Sequence, residues 1–303
     1  PSILKRIIRL FNLNKVIIKK NNFLLLLNLN NPIDREIYLR GNYEAAQINF
    51  LSEEIKKNNL DIFIDVGAHM GFYSITMAEQ KISVYSFEPI KNNFEQLKKN
   101  IKINNITNIS EYNIALSDKK QIIDLWVTDV NKTGGFSVYD EQDEELKKYN
   151  SNSITTIKGL CDRADNILTL KDNRIAIKID VERHEEKVLV GMKKILDQNK
   201  ILMQIEIFDT RKDRIFSLLK KSGFRLINNI EKDYYFKNFW YSLKDQLINE
   251  VFLPKEISII NFEIFFSLKS LKYFNLPFLA IFFLKLSFFV KKLILSESSF
   301  MFE

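Results

Sequence analysis

Residues 61–71 read DIFIDVGAHMG, and this stretch decides the fold. Residues 62–66 form a short, mostly apolar run of the kind that a buried parallel strand needs. Gly67 and Gly71 follow in a turn, and a helical pattern then runs over residues 72–80. Gly67 would let the backbone turn tightly and approach a ligand, and Gly71 would let the helix begin close to it. The pattern predicts a strand–turn–helix cradle for a nucleotide-type ligand, with an ordinary βα turn as the alternative.

A second strand narrows the ligand class. Residues 82–87 (ISVYSF) read as a strand, and Glu88 follows it, 23 residues after Asp65. A carboxylate at this place can accept hydrogen bonds from the hydroxyls of a ribose. The glycine spacing is not G-x-G-x-x-G, which disfavours a dinucleotide. An acidic residue before the first glycine, together with Glu88, favours S-adenosylmethionine, with Asp65 near its positively charged methionine end. The alternative role for Asp65 is to cap the turn.

Three motifs together resemble the FkbM-type methyltransferases. They are IDVGAHMGFYS at 64–74, FEP at 87–89 and IKIDVERHEEKVLVGM at 177–192. The resemblance runs from about Phe23 to about Phe239 and includes YE at 43–44, NIALSD at 113–118 and GGFS at 134–137. Members of the family usually carry Gly after DVE, whereas this chain carries Arg183. That departure concerns the local turn and the shape of the acceptor pocket.

The resemblance implies an α/β fold of the Rossmann-like class I methyltransferase type. We expect a mostly parallel sheet with one antiparallel strand near the edge, an N-terminal β-hairpin and helix, and a C-terminal helical extension. The predicted parts are a basic helix, hairpin and lead-in helix over 1–60, an S-adenosylmethionine-binding methyltransferase domain over 61–240, and a Phe-rich helical extension over 241–303. The apolar runs at 23–29 and 36–40, joined through Asn31-Pro32, predict the hairpin.

The candidate site residues lie at the carboxyl ends of the predicted strands, where α/β sheets place their ligands. Asp180 and Glu182 follow strand 175–180, and one of them would serve as base or acceptor anchor. His184 is a third candidate for catalysis, with capping of the following helix as the alternative role. Glu206 lies near the end of strand 200–207. No metal site is assigned. We assign cofactor binding to Asp65, Gly67, Ala68, His69, Gly71, Glu88, Ala115 and Leu116.

Composition excludes several classes of protein. Cys161 is the single cysteine, so the chain can form no internal disulfide and has no zinc-finger or iron–sulfur spacing. This fits a reducing, cytoplasmic compartment. The net charge is +7, and residues 1–20 contribute +6 of it. A basic face across the core is therefore not indicated, and we expect no nucleic-acid partner.

Both ends of the chain suggest contact with an anionic membrane surface. Residues 2–11 have apolar positions at helical spacing with basic residues between them, and residues 276–295 are nearly continuous apolar sequence interrupted by Lys285. A lysine near the centre of a spanning helix costs about 3 kcal/mol, so we expect an interfacial helix at 276–295. We therefore predict peripheral attachment to the inner face of the membrane. The alternatives are packing against the body or against a partner subunit in a homo-oligomer.

These observations predict an S-adenosylmethionine-dependent O-methyltransferase. The resemblance implies a sugar hydroxyl in a glycolipid or surface polysaccharide, or a related small molecule, as the acceptor. A nucleic-acid methyltransferase is an alternative, disfavoured by the near-neutral core and the absent N/D-P-P-Y/F motif. The other alternative is a membrane-associated, non-catalytic scaffold that retains the fold.

Overall fold

A seven-stranded sheet carries the 61–71 stretch at its centre. The computed structural model of the chain describes residues 15–41, 43–127, 136–138 and 155–239. In spatial order the strands of this sheet are β12 (Arg225–Ile230), β13 (Asp233–Lys237), β11 (Lys200–Glu206), β10 (Arg174–Ile179), β3 (Ile62–Val66), β4 (Ser83–Phe87) and β5 (Ile109–Tyr112). β13 is antiparallel to both of its neighbours, and the other neighbouring strands are parallel. The predicted class I methyltransferase sheet is thus confirmed.

Helices cover the sheet on both faces. In the described residues they are α1 (Pro32–Arg40), α2 (Ala45–Lys57), α3 (Phe72–Ala78), α4 (Lys91–Ile103), α5 (Ala164–Ile167), α6 (Glu185–Gly191), α7 (Lys193–Gln198) and α8 (Lys212–Lys221). All five residues of β3 are buried, as are the last five of β10. Strands enclosed in this way need apolar side chains on both faces, which explains why their sequences are nearly continuous apolar runs.

A second, four-stranded sheet stands beside the first. Its spatial order is β6 (Ala115–Leu116), β9 (Thr155–Asp162), β7 (Gln121–Val127) and β8 (Phe136–Val138). The sequence predicts a short pairing of 121–127 with 135–138, and β7 pairs with β8 in antiparallel register. The sequence also predicts a short helix over 159–168, and the first half of that helix is wrong, because β9 pairs with β7 as far as Cys161 and with β6 through Asp162. Cross-strand hydrogen bonds there outweigh the local helical pattern.

The N-terminal hairpin differs from the prediction. β1 (Lys15–Lys20) pairs antiparallel with β2 (Phe23–Asn28), and the expected second strand at 36–40 is wrong because it is part of α1. Asn31 caps α1 by accepting a hydrogen bond from the Ile33 backbone N–H, Pro32 occupies the first turn, and Gly41 ends the helix at φ 67°. An Asn-Pro pair is a helix start of this kind as readily as a turn between strands.

The sequence predicts one helix over 184–197, and the structure has two, α6 and α7, that meet at Met192. Gly191 lies so close to β6 that a Cβ there would come within 1.8 Å of the Ser117 carbonyl oxygen. Glycine is needed at this contact, and its low helix propensity accompanies the break.

Several predictions about the chain ends fall outside the described residues. These are the basic helix at 2–11 and the extension at 241–303 with its apolar segment at 276–295. The proposed division into three parts also stays a prediction. Over the part of the chain that the structure describes, no helix combines the length and apolar character required to cross a membrane.

Candidate active site

The turn after β3 forms the floor of a cleft at the carboxyl end of the sheet. Gly67 has φ 88°, and a Cβ on it would lie 1.9 Å from the carbonyl oxygen of Asp180. Glycine therefore lets this turn pack against the end of β10 at a distance that no side chain permits. Gly71 has φ 90°, and a Cβ there would meet Leu97 of α4 at 2.3 Å. Gly71 thus serves the packing of α3 on α4 and does not line the cleft.

Glu88 lies at the end of β4, beside this turn. Its two carboxylate oxygens accept hydrogen bonds from the backbone N–H groups of His69 and Ile90, each at 2.8 Å. Burial raises the pKa of Glu88 to about 7, although the hydrogen bonds from Ile90 and His69 oppose that rise. The carboxylate is therefore held rigidly at the cleft wall, and its charge changes near neutral pH.

The cleft has a volume of about 110 Å³ and is partly open to solvent. Five of the predicted cofactor-binding residues line it; they are Gly67, His69, Glu88, Ala115 and Leu116. Apolar side chains of Ile90, Ile114 and Leu125 form its other walls. A carboxylate with neighbouring apolar walls suits a ribose and its base, so the residues present fit S-adenosylmethionine.

Asp65, Ala68 and Gly71, the other predicted cofactor contacts, lie outside the lining of the cleft. Asp65 is buried and its Oδ2 accepts a hydrogen bond from the Ser74 hydroxyl at 2.6 Å. Burial raises its pKa, and the charge of Lys178 opposes that rise. Asp65 therefore stabilises the base of the cleft in this structure.

The N-terminal region contributes a wall that the sequence did not predict. Asn31, the cap of α1, is fully buried, and its Nδ2 lies 2.9 Å from His69 Nε2. Ile33 from the first turn of α1 also lines the cleft. α1 thereby contacts the turn after β3 through Asn31. The sequence pattern predicts a strand over 36–40, within α1, so it does not indicate this contact.

Three carboxylates meet on the other side of the cleft. One oxygen each from Asp180, Glu182 and Glu206 lies within 4.8 Å of the others. The Lys178 ammonium forms an ion pair with Asp180 Oδ2 at 2.8 Å. Because Lys178 already supplies the countercharge, we assign no metal ion to this cluster. We name it the carboxylate cluster.

The three carboxyl groups have different protonation states at neutral pH. Burial opposes the ionisation of Asp180, but the Lys178 charge, with hydrogen bonds from Lys178 and Glu206, holds its pKa below the ordinary value. Burial and then the charge of Asp180 raise the pKa of Glu206 to about 9. The same two causes raise the pKa of Glu182 to about 7. At pH 7 Asp180 is therefore an anion, and Glu206 keeps its proton and donates it to Asp180 in a hydrogen bond.

Lys178 belongs to a buried polar row that crosses the sheet below the cluster. The strand register aligns it with Asp65 on one side and Gln204 on the other. Its ammonium also lies 4.6 Å from the centre of the Tyr73 ring, and Tyr73 donates a hydrogen bond to Glu44 at 2.7 Å. The sequence contains the signal for this row, since each strand carries one polar residue in an apolar run near its end.

His184 lies between the cleft and β6. Its Nε2 is 2.9 Å from the Ser117 hydroxyl, it is nearly buried, and it lines the cleft. It occupies the cap position of α6, but its side chain makes no capping hydrogen bond. The structure thus brings all three predicted catalytic residues to the cleft, with Asp180 and Glu182 in the cluster and His184 beside it.

Comparison with known proteins gives one match that covers more than half of the chain. The family model described as methyltransferase FkbM domain matches residues 65–226. No curated protein matches the sequence.

Solved structures resemble the chain only in general fold. M. jannaschii TYW2 in complex with AdoMet has a TM-score of 0.38 and 13% identity over 74% of this chain and 84% of that chain. A Streptococcus mutans protein in complex with SAH has a TM-score of 0.35 and 13% identity over 64% of this chain and 94% of that chain. An rRNA methylase from Streptococcus thermophilus has a TM-score of 0.34 and 15% identity over 63% of this chain and 92% of that chain. At these values the three structures carry no argument about activity.

Proposed function

We propose, since the chain belongs to the FkbM methyltransferase family, that it methylates a hydroxyl of a sugar in a glycolipid or surface polysaccharide. The family match shows that the chain is an S-adenosylmethionine-dependent methyltransferase. The proposal concerns the acceptor, and the carboxylate cluster is the observation that carries it.

The cofactor, when bound, supplies an electrophilic methyl group on a sulfonium. We assign its ribose to Glu88, whose carboxylate is already oriented by two backbone N–H groups. Ionised, this carboxylate accepts hydrogen bonds from the ribose hydroxyls. Ile90 and Leu116 would flank the adenine ring of the cofactor, and His69 would hold the turn after β3 through its contact with Asn31.

Asp180 is the residue we propose as base for the acceptor. A sugar hydroxyl has a pKa far above neutral, so its proton must pass to a nearby group as the new bond to carbon forms. Asp180 lies in the cleft wall and is ionised at neutral pH because of Lys178. Glu206, which is protonated, can donate a hydrogen bond either to Asp180 or to a sugar oxygen. Such a donor–acceptor pair is suited to a polyol.

Glu182 and His184 would complete the acceptor side. Glu182 has a pKa of about 7 and lies in the cleft wall, so it can accept a hydrogen bond from a second hydroxyl or take up the proton from Asp180. His184, held by Ser117, is the next candidate base if Asp180 only anchors the sugar. Two carboxylates and an imidazole around one cleft suit a substrate with several hydroxyl groups.

The setting of the reaction is a further part of the proposal. The basic segment at 1–20 and the apolar segment at 276–295 support an acceptor presented at the inner face of a membrane. A glycolipid would satisfy both this setting and the polar cleft. A homo-oligomer stays a proposal from the sequence alone.

The test is methyl transfer from radiolabelled S-adenosylmethionine to a panel of monosaccharides, glycolipids and surface polysaccharide fragments. We expect label on oxygen, identified by mass spectrometry and by the NMR shift of an O-methyl group. Label on nitrogen, or on an RNA or DNA oligomer in the same panel, would overturn the sugar hydroxyl. Cofactor binding, measured by calorimetry, serves as the control that the protein is competent.

A further inference from the structure

We propose that Asn31 is a positioning residue for the cofactor, because it holds the imidazole of His69 as the neutral form that carries its proton on Nδ1. Asn31 belongs to the N-terminal module, which we define as residues 15–41 with β1, β2 and α1. This module precedes the family domain matched at residues 65–226. The inference concerns the cofactor side of the cleft, and it does not depend on which acceptor is methylated.

The hydrogen bonds of Asn31 fix the direction in which its amide points. Its Oδ1 accepts a hydrogen bond from the Ile33 backbone N–H at 3.1 Å, as the cap of α1. The amide nitrogen is therefore the atom that faces His69, and it lies 2.9 Å from Nε2. An amide nitrogen can only donate, so Nε2 accepts and carries no proton of its own. A neutral imidazole with an unprotonated Nε2 has its proton on Nδ1.

His69 is the strained residue of the turn after β3. Its φ is 50°, in the left-handed region that a residue with a Cβ rarely adopts. Its backbone N–H donates to Glu88 Oε2 at 2.8 Å, and Asn100 Nδ2 donates to the carbonyl of the next residue, Met70, at 3.0 Å. Strain of this kind persists where the surroundings hold it. Asn31 supports the ring of His69, so loss of that contact would let the turn relax beside Glu88.

The N-terminal module is held to α4 by side-chain amides. Asn104 accepts a hydrogen bond from the Leu24 N–H at 2.6 Å and donates one to the Leu24 carbonyl at 2.7 Å. Asn100 Oδ1 accepts from the Leu26 N–H at 2.7 Å, and Gln96 donates to the Leu26 carbonyl at 2.9 Å. Residues four apart share one face of a helix, so these amides bond to β2 in place of a neighbouring strand. Because Asn100 also bonds to the turn after β3, one side chain joins that turn to β2.

The contact between Asn31 and His69 lies at the wall of the cofactor cleft. Asn31 is fully buried, and His69 and Ile33 both line the cleft beside Glu88. Buried polar groups need their hydrogen-bond partners, and a hydrogen bond in such surroundings is stronger than one in water. Removal of the amide of Asn31 would therefore disturb the cleft wall itself.

The neutral imidazole suits the charge of the cofactor. S-adenosylmethionine carries a positive sulfonium, whereas S-adenosylhomocysteine does not. The carboxyl groups of Asp34 on α1 and of Asp180 at the end of β10 both interact with a charge on His69, and when ionised they favour an imidazolium. The amide of Asn31 opposes this, because an imidazolium would direct a second N–H at its NH2 group. Asn31 thus keeps positive charge off the cleft wall.

The first experiment reads the protonation of the ring directly. The chain has two histidines, His69 and His184, so nitrogen NMR of the isotopically labelled full chain contains two imidazole patterns, and His69→Asn assigns them. We expect His69 to show the pattern of a neutral ring with its proton on Nδ1 at neutral pH. A proton on Nε2, or on both nitrogens, would overturn the proposal.

The second experiment measures binding of S-adenosylhomocysteine and S-adenosylmethionine to the full chain by calorimetry. Asn31→Ser keeps a cap for α1 but is too short to reach His69. Asn108→Ala is the matched control, since the Asn108 amide also donates to backbone carbonyls, those of Ala78 and Ile82, outside the cleft lining. We expect Asn31→Ser to weaken binding of both ligands on the order of 10-fold, from the loss of one buried donor. Asn108→Ala should bind both ligands as wild type does, although urea unfolding should show a loss of stability in both variants.

A third variant, Asn31→Asp, tests the charge on the ring. Its carboxylate keeps the cap and the shape of the side chain but accepts where the amide donated, so it draws a proton to Nε2 of His69. We expect nitrogen NMR to show an imidazolium, and the affinity for S-adenosylmethionine to fall more than the affinity for S-adenosylhomocysteine. A purely structural role of Asn31 would leave the ratio of the two affinities unchanged.

Four binding results would overturn the proposal. They are no binding of S-adenosylhomocysteine to the wild type, wild-type affinity in Asn31→Ser, an equal loss of affinity in Asn108→Ala, and an unchanged ratio of affinities in Asn31→Asp. None of these measurements uses a methyl acceptor. Failure of the sugar assay would therefore leave this inference standing, and failure of this inference would leave the acceptor open to the sugar assay.

Discussion

Substitution of Asp180 by Asn tests the assignment of the base and of its countercharge together. The variant keeps the shape of the side chain but removes the negative charge that lies 2.8 Å from the Lys178 ammonium. We expect turnover with a hydroxyl acceptor to fall by roughly 100- to 10,000-fold, which is the usual contribution of a general base. Cofactor affinity should not change, because Asp180 lies on the acceptor side of the cleft.

The same substitution should also destabilise the fold. The Lys178 side chain is only 5% exposed and that of Asp180 is 29% exposed. Loss of one partner from a buried ion pair costs about 3–5 kcal/mol, since the other charge is left without compensation. We expect the lower end of that range, because Asp180 is partly exposed and Asp65 also favours the charge of Lys178. Urea unfolding of both proteins measures this difference.

Glu206→Gln is the matched control. With a pKa of about 9, Glu206 is about 1% ionised at pH 7, so the amide copies the form that the protein already holds. We expect near-wild-type turnover of Glu206→Gln at pH 7. In the wild type, activity should decline as the pH rises through 9, because Glu206 then loses the proton that it donates to Asp180, and Glu206→Gln should lack this decline. Single-turnover assays across pH 6–10 provide the measurement. Turnover of Asp180→Asn within a few fold of wild type would refute Asp180 as base, and equal inactivity of Glu206→Gln would refute the proton assignment.

Three further predictions follow from the site and the chain ends. Gly67→Ala should abolish cofactor binding in calorimetry and lower the urea midpoint, because its Cβ would meet the Asp180 carbonyl at 1.9 Å. Gly41→Ala is the control, since a Cβ there meets nothing within 4 Å, and it should lower the free energy of unfolding by only about 1 kcal/mol. Equal effects of the two substitutions would contradict the packing argument. Affinity for S-adenosylmethionine should rise as the pH rises through about 7, because Glu88 ionises there. The Glu88→Gln variant should bind S-adenosylmethionine more weakly, with an affinity that does not depend on pH. A pH-dependent affinity of this variant would assign the titration to another group. In liposome flotation the full chain should bind anionic vesicles at low salt and bind them less at high salt. A chain trimmed to residues 15–239, which retains β1, should not bind the vesicles. Equal flotation of both chains would disprove attachment through the ends.

The cofactor half of the site was largely predictable because its signals are local. β3, its glycine turn and α3 follow one another without interruption, and each is specified by apolar spacing and backbone freedom over a few residues. Glu88 was found because the end of the next parallel strand must lie beside the end of β3. The error at residues 36–40 was also local, since Asn31-Pro32 fits both a turn and a capped helix start.

The acceptor half was predictable only in part. The sequence indicated Asp180, Glu182 and His184 from their position after a strand, but it gave no protonation states. Lys178 lies within an apolar run, and the sequence does not indicate that it pairs with Asp180.

By itself, then, the sequence determined the alternation of strands and helices from β3 to β5, the family, the cofactor and the edge of the sheet on which the site lies. These properties depend on short-range patterns and on the rule that parallel strands end at one edge. The tertiary structure alone decided that Asp180 is ionised, that Glu206 keeps its proton, and that Asn31 supports His69. The physical reason is that desolvation and charge–charge interaction depend on distances between residues from different elements, and the strand register and helix packing set those distances.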